Sequence, residues 1–210
     1  MAHGKNSPQR QQRVPAFFVC RIMNALENWF CSTGFWRRVT QEQLLPWIVS
    51  GSTLGDHVLE LGSGPGAGTP ELRRLAPRVT SLEYSYEFAA NLAARNISAN
   101  GSVLQGDASL LPFAEKTFSS VIAILMLHHL CSGEQQERAC REAFRVLRPG
   151  GGFFAFEIQD GWFNRVIHRN STFVPVRPVL LPEQLTTTGF SSVSVDSRRG
   201  GFRVQAFKPV

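Results

Sequence analysis

Three glycines spaced two apart close an apolar run in Val58-Leu59-Glu60-Leu61-Gly62-Ser63-Gly64-Pro65-Gly66. Glycine at 62, 64 and 66 lets the backbone turn tightly and approach a ligand where any Cβ would obstruct it. A second carboxylate, Glu83, ends another apolar run 23 residues after Glu60, where it can take both hydroxyls of an adenosyl ribose. Gly106-Asp107 ends a third run, and an aspartate there can accept from an adenine amino group. A fourth run ends in Leu127-His128-His129. A histidine at that point can take a proton from a hydroxyl or amine near neutral pH. Side chains alternate along a strand, so only one of His128 and His129 is expected to face a ligand. No metal ligation is expected of them, because no third ligand stands nearby in the sequence.

These groups need a frame that brings the ends of four runs together. From Asp56 onward strand and helix signals alternate, the pattern of a parallel sheet covered on both faces. Strands are expected over 57–61, 79–84, 102–106, 118–127 and 153–158. The run 118–127 is apolar enough for a central buried strand. Thr69, Pro70 and Glu71 start one helix, Ser85 caps a second, and Ser132 caps a third. A short helix over 182–188 and a hairpin of 191–196 with 202–207 close the chain. Every candidate ligand group then lies at the carboxyl end of a strand, where open α/β sheets bind ligands.

Glu60-Leu-Gly-Ser-Gly-Pro-Gly66, Glu83-Tyr-Ser85, Gly106-Asp107-Ala-Ser-Leu-Leu-Pro-Phe113, Leu127-His-His129 and Arg145-Val-Leu-Arg-Pro-Gly-Gly151 closely resemble, in order and spacing, the class I S-adenosylmethionine (SAM) dependent methyltransferases. The nearest branch is that of the quinone-biosynthesis and many small-molecule methyltransferases. The resemblance covers residues 56–160. It implies an α/β, Rossmann-like seven-stranded sheet, mostly parallel with the last strand antiparallel, with helices on both faces. It implies SAM as cofactor, S-adenosylhomocysteine (SAH) as product and a small-molecule substrate. Glu60, Gly62, Ser63, Gly64 and Gly66 would line the methionine part of SAM, and Glu83 would hold the ribose. Tyr84 would flank the adenine, with Gly106, Asp107, Ala108 and Leu127 completing its site. His128 and His129 are the candidates for a catalytic base. One departure is visible: the family places an acidic residue after the phenylalanine that opens strand four, and here Ser119 follows Phe118.

Residues 1–14 read as a disordered tail, 15–50 as an N-terminal helical cap broken near 31–34 and at Pro46, and 51–210 as one methyltransferase domain. In the cap, Leu26 and Trp29 fall on a helical stripe, with Phe35, Trp36, Val39 and Leu44 further along. Between strand five and the last helix, the irregular stretch 157–178 carries Asp160, Trp162, Phe163, Asn164, Arg165, His168, Arg169 and Phe173, a composition suited to a substrate lid.

With 43% hydrophobic and 18% charged residues the chain is globular rather than disordered. No run of 18 apolar residues offers a membrane span, and no signal-peptide core is apparent near the start. Four cysteines without a CxxC pair suggest neither zinc nor a disulfide framework, and the cytoplasm is the expected compartment. The net charge of +6 comes from scattered arginines, so nucleic acid is not the expected partner. An RNA-modifying methyltransferase, or a non-catalytic SAM-binding module touching a membrane through its N-terminal helices, are the alternatives. Oligomeric state is not legible.

Overall fold

The computed structural model describes residues 23–95, 100–198 and 200–210. The expected tail over 1–14, and the start of the cap up to 22, lie outside them.

Seven strands form one sheet in the order β3-β2-β1-β4-β5-β7-β6. They are β1 His57–Leu61, β2 Arg78–Glu83, β3 Gly101–Gln105, β4 Phe118–Ile124, β5 Leu147–Ile158, β6 Ser191–Arg198 and β7 Gly201–Phe207. The first five run parallel, and β7 pairs antiparallel with both β5 and β6. The order reverses between β1 and β4, so their carboxyl ends open a crevice at the topological switch point.

Period-two alternation sends the buried side chains of each strand to opposite faces. Leu59, Leu61, Val121, Ala123, Phe153 and Ala155 join one core, closed by α6 (Gly133–Val146) and α8 (Leu181–Thr188). Val58, Ile122, Phe154 and Phe156 join the other, with Leu72 of α4 (Thr69–Leu75) and Leu45 and Ile48 of α3 (Leu45–Ile48). The cap is thus anchored to the sheet by its last helix. Ahead of α3 stand α1 (Ala25–Ser32), α2 (Gly34–Val39) and a π-helical turn, Thr40–Leu44. The remaining helices are α5 (Tyr86–Ala94), capped by Ser85, and α7 (Trp162–Ile167).

Several expectations are corrected. The chain breaks at Thr33, as the glycine after it suggests, but Pro46 starts α3 instead of breaking a helix. That is where a proline's missing N–H is harmless. Residues 162–167 are helical rather than irregular. β4 ends at Ile124, three residues early, because Leu125 takes a left-handed backbone (φ 54) and Leu127–His129 form a 3₁₀ turn. Cys31 and Cys140 are free thiols, whereas Cys131 is disulfide-bonded; spacing alone does not show which sulfurs a fold brings together. Ser119, the departure from the family pattern, serves structure: its Oγ accepts from His57 N at 2.9 Å and is 2.8 Å from the Leu54 carbonyl. No helix among the described residues is long and apolar enough to cross a membrane.

Candidate active site

The glycine loop leaves β1 with Gly62 N donating to the Leu82 carbonyl at 2.8 Å. Gly62 has φ +67, and a Cβ there would stand 2.3 Å from Met126 Cγ. Gly64 is also left-handed (φ +50) but faces open space. The loop therefore presses against the turn after β4 at one glycine and opens toward the crevice at the next. Gly66 backs the loop against Leu92 of α5.

The acids are placed where the spacing expects them, already engaged. Glu60 Oε2 accepts from Ser81 Oγ at 2.6 Å and Thr69 Oγ1 at 2.8 Å. Full burial raises its pKa against those two bonds. Glu83 Oε2 accepts from Gly64 N at 2.7 Å and Oε1 from Ser85 N at 2.9 Å. Burial likewise raises its pKa against the amide bonds. Asp107 Oδ1 is held by Ser109 N and Oγ, at 2.7 and 2.8 Å. Asp107 shares a cleft with Tyr84, Tyr86, Gln105 and Gly106. Ala108 and Leu127 are buried in the core and line neither this cleft nor the main cavity.

The main cavity, of about 610 Å³, runs from Glu60 and the glycine loop to the underside of the cap. Two hydroxyls on it, Ser63 Oγ and Thr40 Oγ1, are buried with no hydrogen-bond partner among the described residues. Buried polar atoms are nearly always paired, so these two, beside the Glu60 carboxylate, suit the polar amino-acid end of a ligand. Thr40 had no signal in the sequence, because the cap folds it over the loop from outside the motif.

Its far end is apolar above and polar below. Leu26, Trp29, Phe30, Trp36, Phe163 and Ile167 form walls from the cap and α7. Below them His128 and His129 both line the cavity, against the expected alternation. They sit on a 3₁₀ turn, which does not send neighbours to opposite sides. His128 is 2% exposed, and its Nδ1 lies 2.5 Å from Glu157 Oε2. Glu157, fully buried, takes Met126 N (3.1 Å) and Leu127 N (2.7 Å) on its other oxygen. His129 Nδ1 faces the Thr172 carbonyl at 3.1 Å. Burial, then the adjacent His128, hold the His129 pKa down to about 3, so its ring is neutral.

A third imidazole joins them from the end of α7. His168 Nδ1 is 2.6 Å from the Asn164 carbonyl and its Nε2 is 3.0 Å from Glu27 Oε1. Against burial, which works the other way on each, their mutual contact raises the histidine and lowers the glutamate. Glu27 belongs to the capping box of α1, accepting from Asn24 N at 2.5 Å, and also takes Ser171 Oγ at 2.8 Å. Glu27, Glu157 and the partnership of His168 were missed in the sequence. Glu157 left a trace there, as the single charge in the otherwise apolar run 153–158.

Residues 59–155 match the family model described as a methyltransferase domain. A demethylmenaquinone methyltransferase of Tropheryma whipplei is 31% identical over 152 residues, 71% of this chain and 59% of that protein. The chain thus spans about three-fifths of the length of this relative. Among solved structures, the N-methyltransferase NodS of Bradyrhizobium japonicum, bound to SAH, superposes with a TM-score of 0.69 at 18% identity, covering 89% of this chain and 94% of NodS. The [4+2]-cyclase SpnF gives 0.64 at 20% identity, covering 83% and 81%. The structural likenesses establish the fold alone, which also serves a cyclase. The motif order, the family model and the sequence relative agree on the class: residues 59–155 carry a methyltransferase domain. SAM is the cofactor of that class.

Proposed function

We propose that this chain transfers a methyl group from SAM to a hydroxyl of an apolar small molecule seated under the helical cap. The observation that carries this reading is one continuous cavity. It joins the glycine loop to aromatic walls and ends on an imidazole oriented by a buried carboxylate. When bound, SAM supplies a methyl group already made electrophilic by its sulfonium. Glu60, Ser63 and Thr40 hold the amino-acid end, Glu83 the ribose, and Asp107, with Tyr84 beside it, the adenine. The cap and Phe163 exclude water and align the acceptor, the main requirement of such a transfer. Glu157 fixes the His128 Nδ1 proton, so that Nε2 offers a lone pair to the acceptor's hydroxyl proton, the relation of a general base to its orienting group. His129, neutral, can accept a hydrogen bond beside it.

Calorimetry on the full chain tests the cofactor first. SAM and SAH are expected to bind and NAD not; failure of both would remove the basis of the reading. Labelled-methyl transfer to a panel of apolar hydroxyl compounds then tests the acceptor. Asp107→Ala and Glu83→Ala are each expected to weaken SAM binding by about 10- to 100-fold, the worth of hydrogen bonds to a charged group. Circular dichroism should stay native. Wild-type affinity in both would refute the ribose and adenine assignments.

A membrane-facing role has its own observation. Trp29 (65% exposed), Phe35 (70%) and Trp162 (78%) stand out from the cap and α7, and Arg37, Arg38 and Arg165 lie on the same helices. Aromatic and basic residues together suit an anionic bilayer surface, from which an apolar acceptor could be drawn. Sedimentation with anionic liposomes, lost in Trp29→Ala/Trp162→Ala, is expected; no sedimentation of the wild type refutes it.

A further inference from the structure

The imidazole cluster has an order that accepting one proton does not require. In each ring Nδ1 is taken by an oxygen outside the cluster: the Glu157 carboxylate for His128, the Thr172 carbonyl for His129 and the Asn164 carbonyl for His168. A carbonyl only accepts, so His129 and His168 carry a proton on Nδ1, and Glu157, acting as the acceptor toward His128 as it does toward Met126 N and Leu127 N, imposes the same there. His128 and His129 then offer Nε2, and His168 offers its own once the proton it shares with Glu27 Oε1, 3.0 Å away, has left. An oxygen that fixes one ring nitrogen while the other is presented is the outer-shell pattern of histidine metal ligands. One donor nitrogen from each ring lies within 4.8 Å of the other two. Three imidazole nitrogens on a tetrahedral zinc ion at its usual bond length stand roughly 3.3 Å apart, so small ring rotations close the set. A carboxylate is already at hand, with Glu27 Oε1 3.0 Å from His168 Nε2.

We infer that His128, His129 and His168 form a site for one divalent transition-metal ion of the zinc type, with Glu27 as the fourth ligand. Neutral imidazoles with one carboxylate select zinc, cobalt, nickel or copper over magnesium and calcium, which prefer all-oxygen shells. The ligands come from three places: the turn after β4, the end of α7 and cap helix α1. A bound ion would staple the cap over the cavity and release the proton shared by His168 and Glu27 to solvent. The inference shares His128 with the proposed reaction, and its consequence follows from that. Nε2 cannot serve an ion and an acceptor proton together, so zinc inhibits methyl transfer.

The test is titration of the untagged full chain, stripped with a chelator, with zinc by calorimetry and with cobalt by visible absorption. One equivalent of zinc is expected, with the strong visible bands of a four-coordinate cobalt site, and magnesium should not bind. His129→Gln and His168→Gln should each weaken zinc binding at least about 100-fold, and Glu157→Gln, an outer-shell change, about 10- to 100-fold. Zinc should raise the melting temperature of the wild type and abolish turnover reversibly. Absence of uptake by the wild type overturns the inference without any variant. So does stoichiometric uptake whose affinity survives both His→Gln changes, or cobalt spectra of an octahedral site. SAM affinity measured on the same samples judges the methyltransferase reading separately: zinc binding without SAM binding would count against that reading alone.

Discussion

Glu157→Gln is expected to lower kcat for methyl transfer by about 10²- to 10⁴-fold, the range a general base supplies, while SAM affinity stays within a few-fold of wild type. The variant is nearly isosteric, and its amide oxygen can still receive Met126 N and Leu127 N. The amide nitrogen then takes the place of Oε2, 2.5 Å from His128 Nδ1. An amide nitrogen donates, so Nδ1 must become the acceptor and the ring proton moves to Nε2. His128 then points an N–H, not a lone pair, at the acceptor. The corresponding carboxylate-to-amide change in a serine protease triad leaves the geometry intact and costs about 10⁴ in kcat by the same tautomer switch. Steady-state kinetics with the identified acceptor, and nitrogen NMR of the His128 ring, check the two halves separately. A switched tautomer with full turnover would show that His128 takes no proton. Glu157→Leu should fare worse in another way, leaving two backbone N–H groups and a ring N–H without acceptors in the core.

That prediction rests on a residue the sequence hardly announces, and the reason is instructive. The SAM-side groups are legible because each is a local signal: glycines directly after a strand, Glu83 and Asp107 each ending one. Backbone alternation and chain order carry them to a single edge of the sheet. The acceptor side is assembled by tertiary folding from segments with no shared spacing. Thr40 comes from a π-helical turn, Glu27 from a capping box, His168 from the end of a short helix read as irregular, and Glu157 from the penultimate position of a core strand. The end of β4 shows the limit most plainly. Ile124, Leu125, Met126 and Leu127 are apolar whether the strand continues or stops, so composition could not mark the left-handed Leu125 that turns both histidines into the cavity. The cap stripe misleads in the opposite way. Leu26 and Trp29 are spaced like core residues yet remain 53% and 65% exposed, because their helix roofs a cavity.

The two halves of the site meet at Gly62, and its replacement by alanine is expected to damage both. The alanine must hold φ +67, which costs roughly 1–2 kcal/mol for an L-residue. Its Cβ would lie 2.3 Å from Met126 Cγ and 2.9 Å from Met126 Cβ, so Met126 cannot yield merely by swinging its flexible tip. Overpacking of this kind costs about 1–3 kcal/mol, and a total near 2–5 kcal/mol lowers the melting temperature of a domain this size by about 5–15 °C. Met126 N is one of the donors to Glu157, so a displaced Met126 also loosens the carboxylate that orients His128. Gly64→Ala provides the contrast. That glycine is also left-handed, but nothing lies within 4 Å of its added Cβ. Its cofactor-free form should melt within about 8 °C of wild type, since only the backbone term remains, and its loss should appear in SAM affinity. Differential scanning calorimetry with and without SAM separates the cases: Gly62→Ala is expected to fall in both states, Gly64→Ala chiefly in the cofactor-dependent increment. Equal melting of the two cofactor-free variants would mean that the contact with Met126 does not couple the glycine loop to the histidine turn.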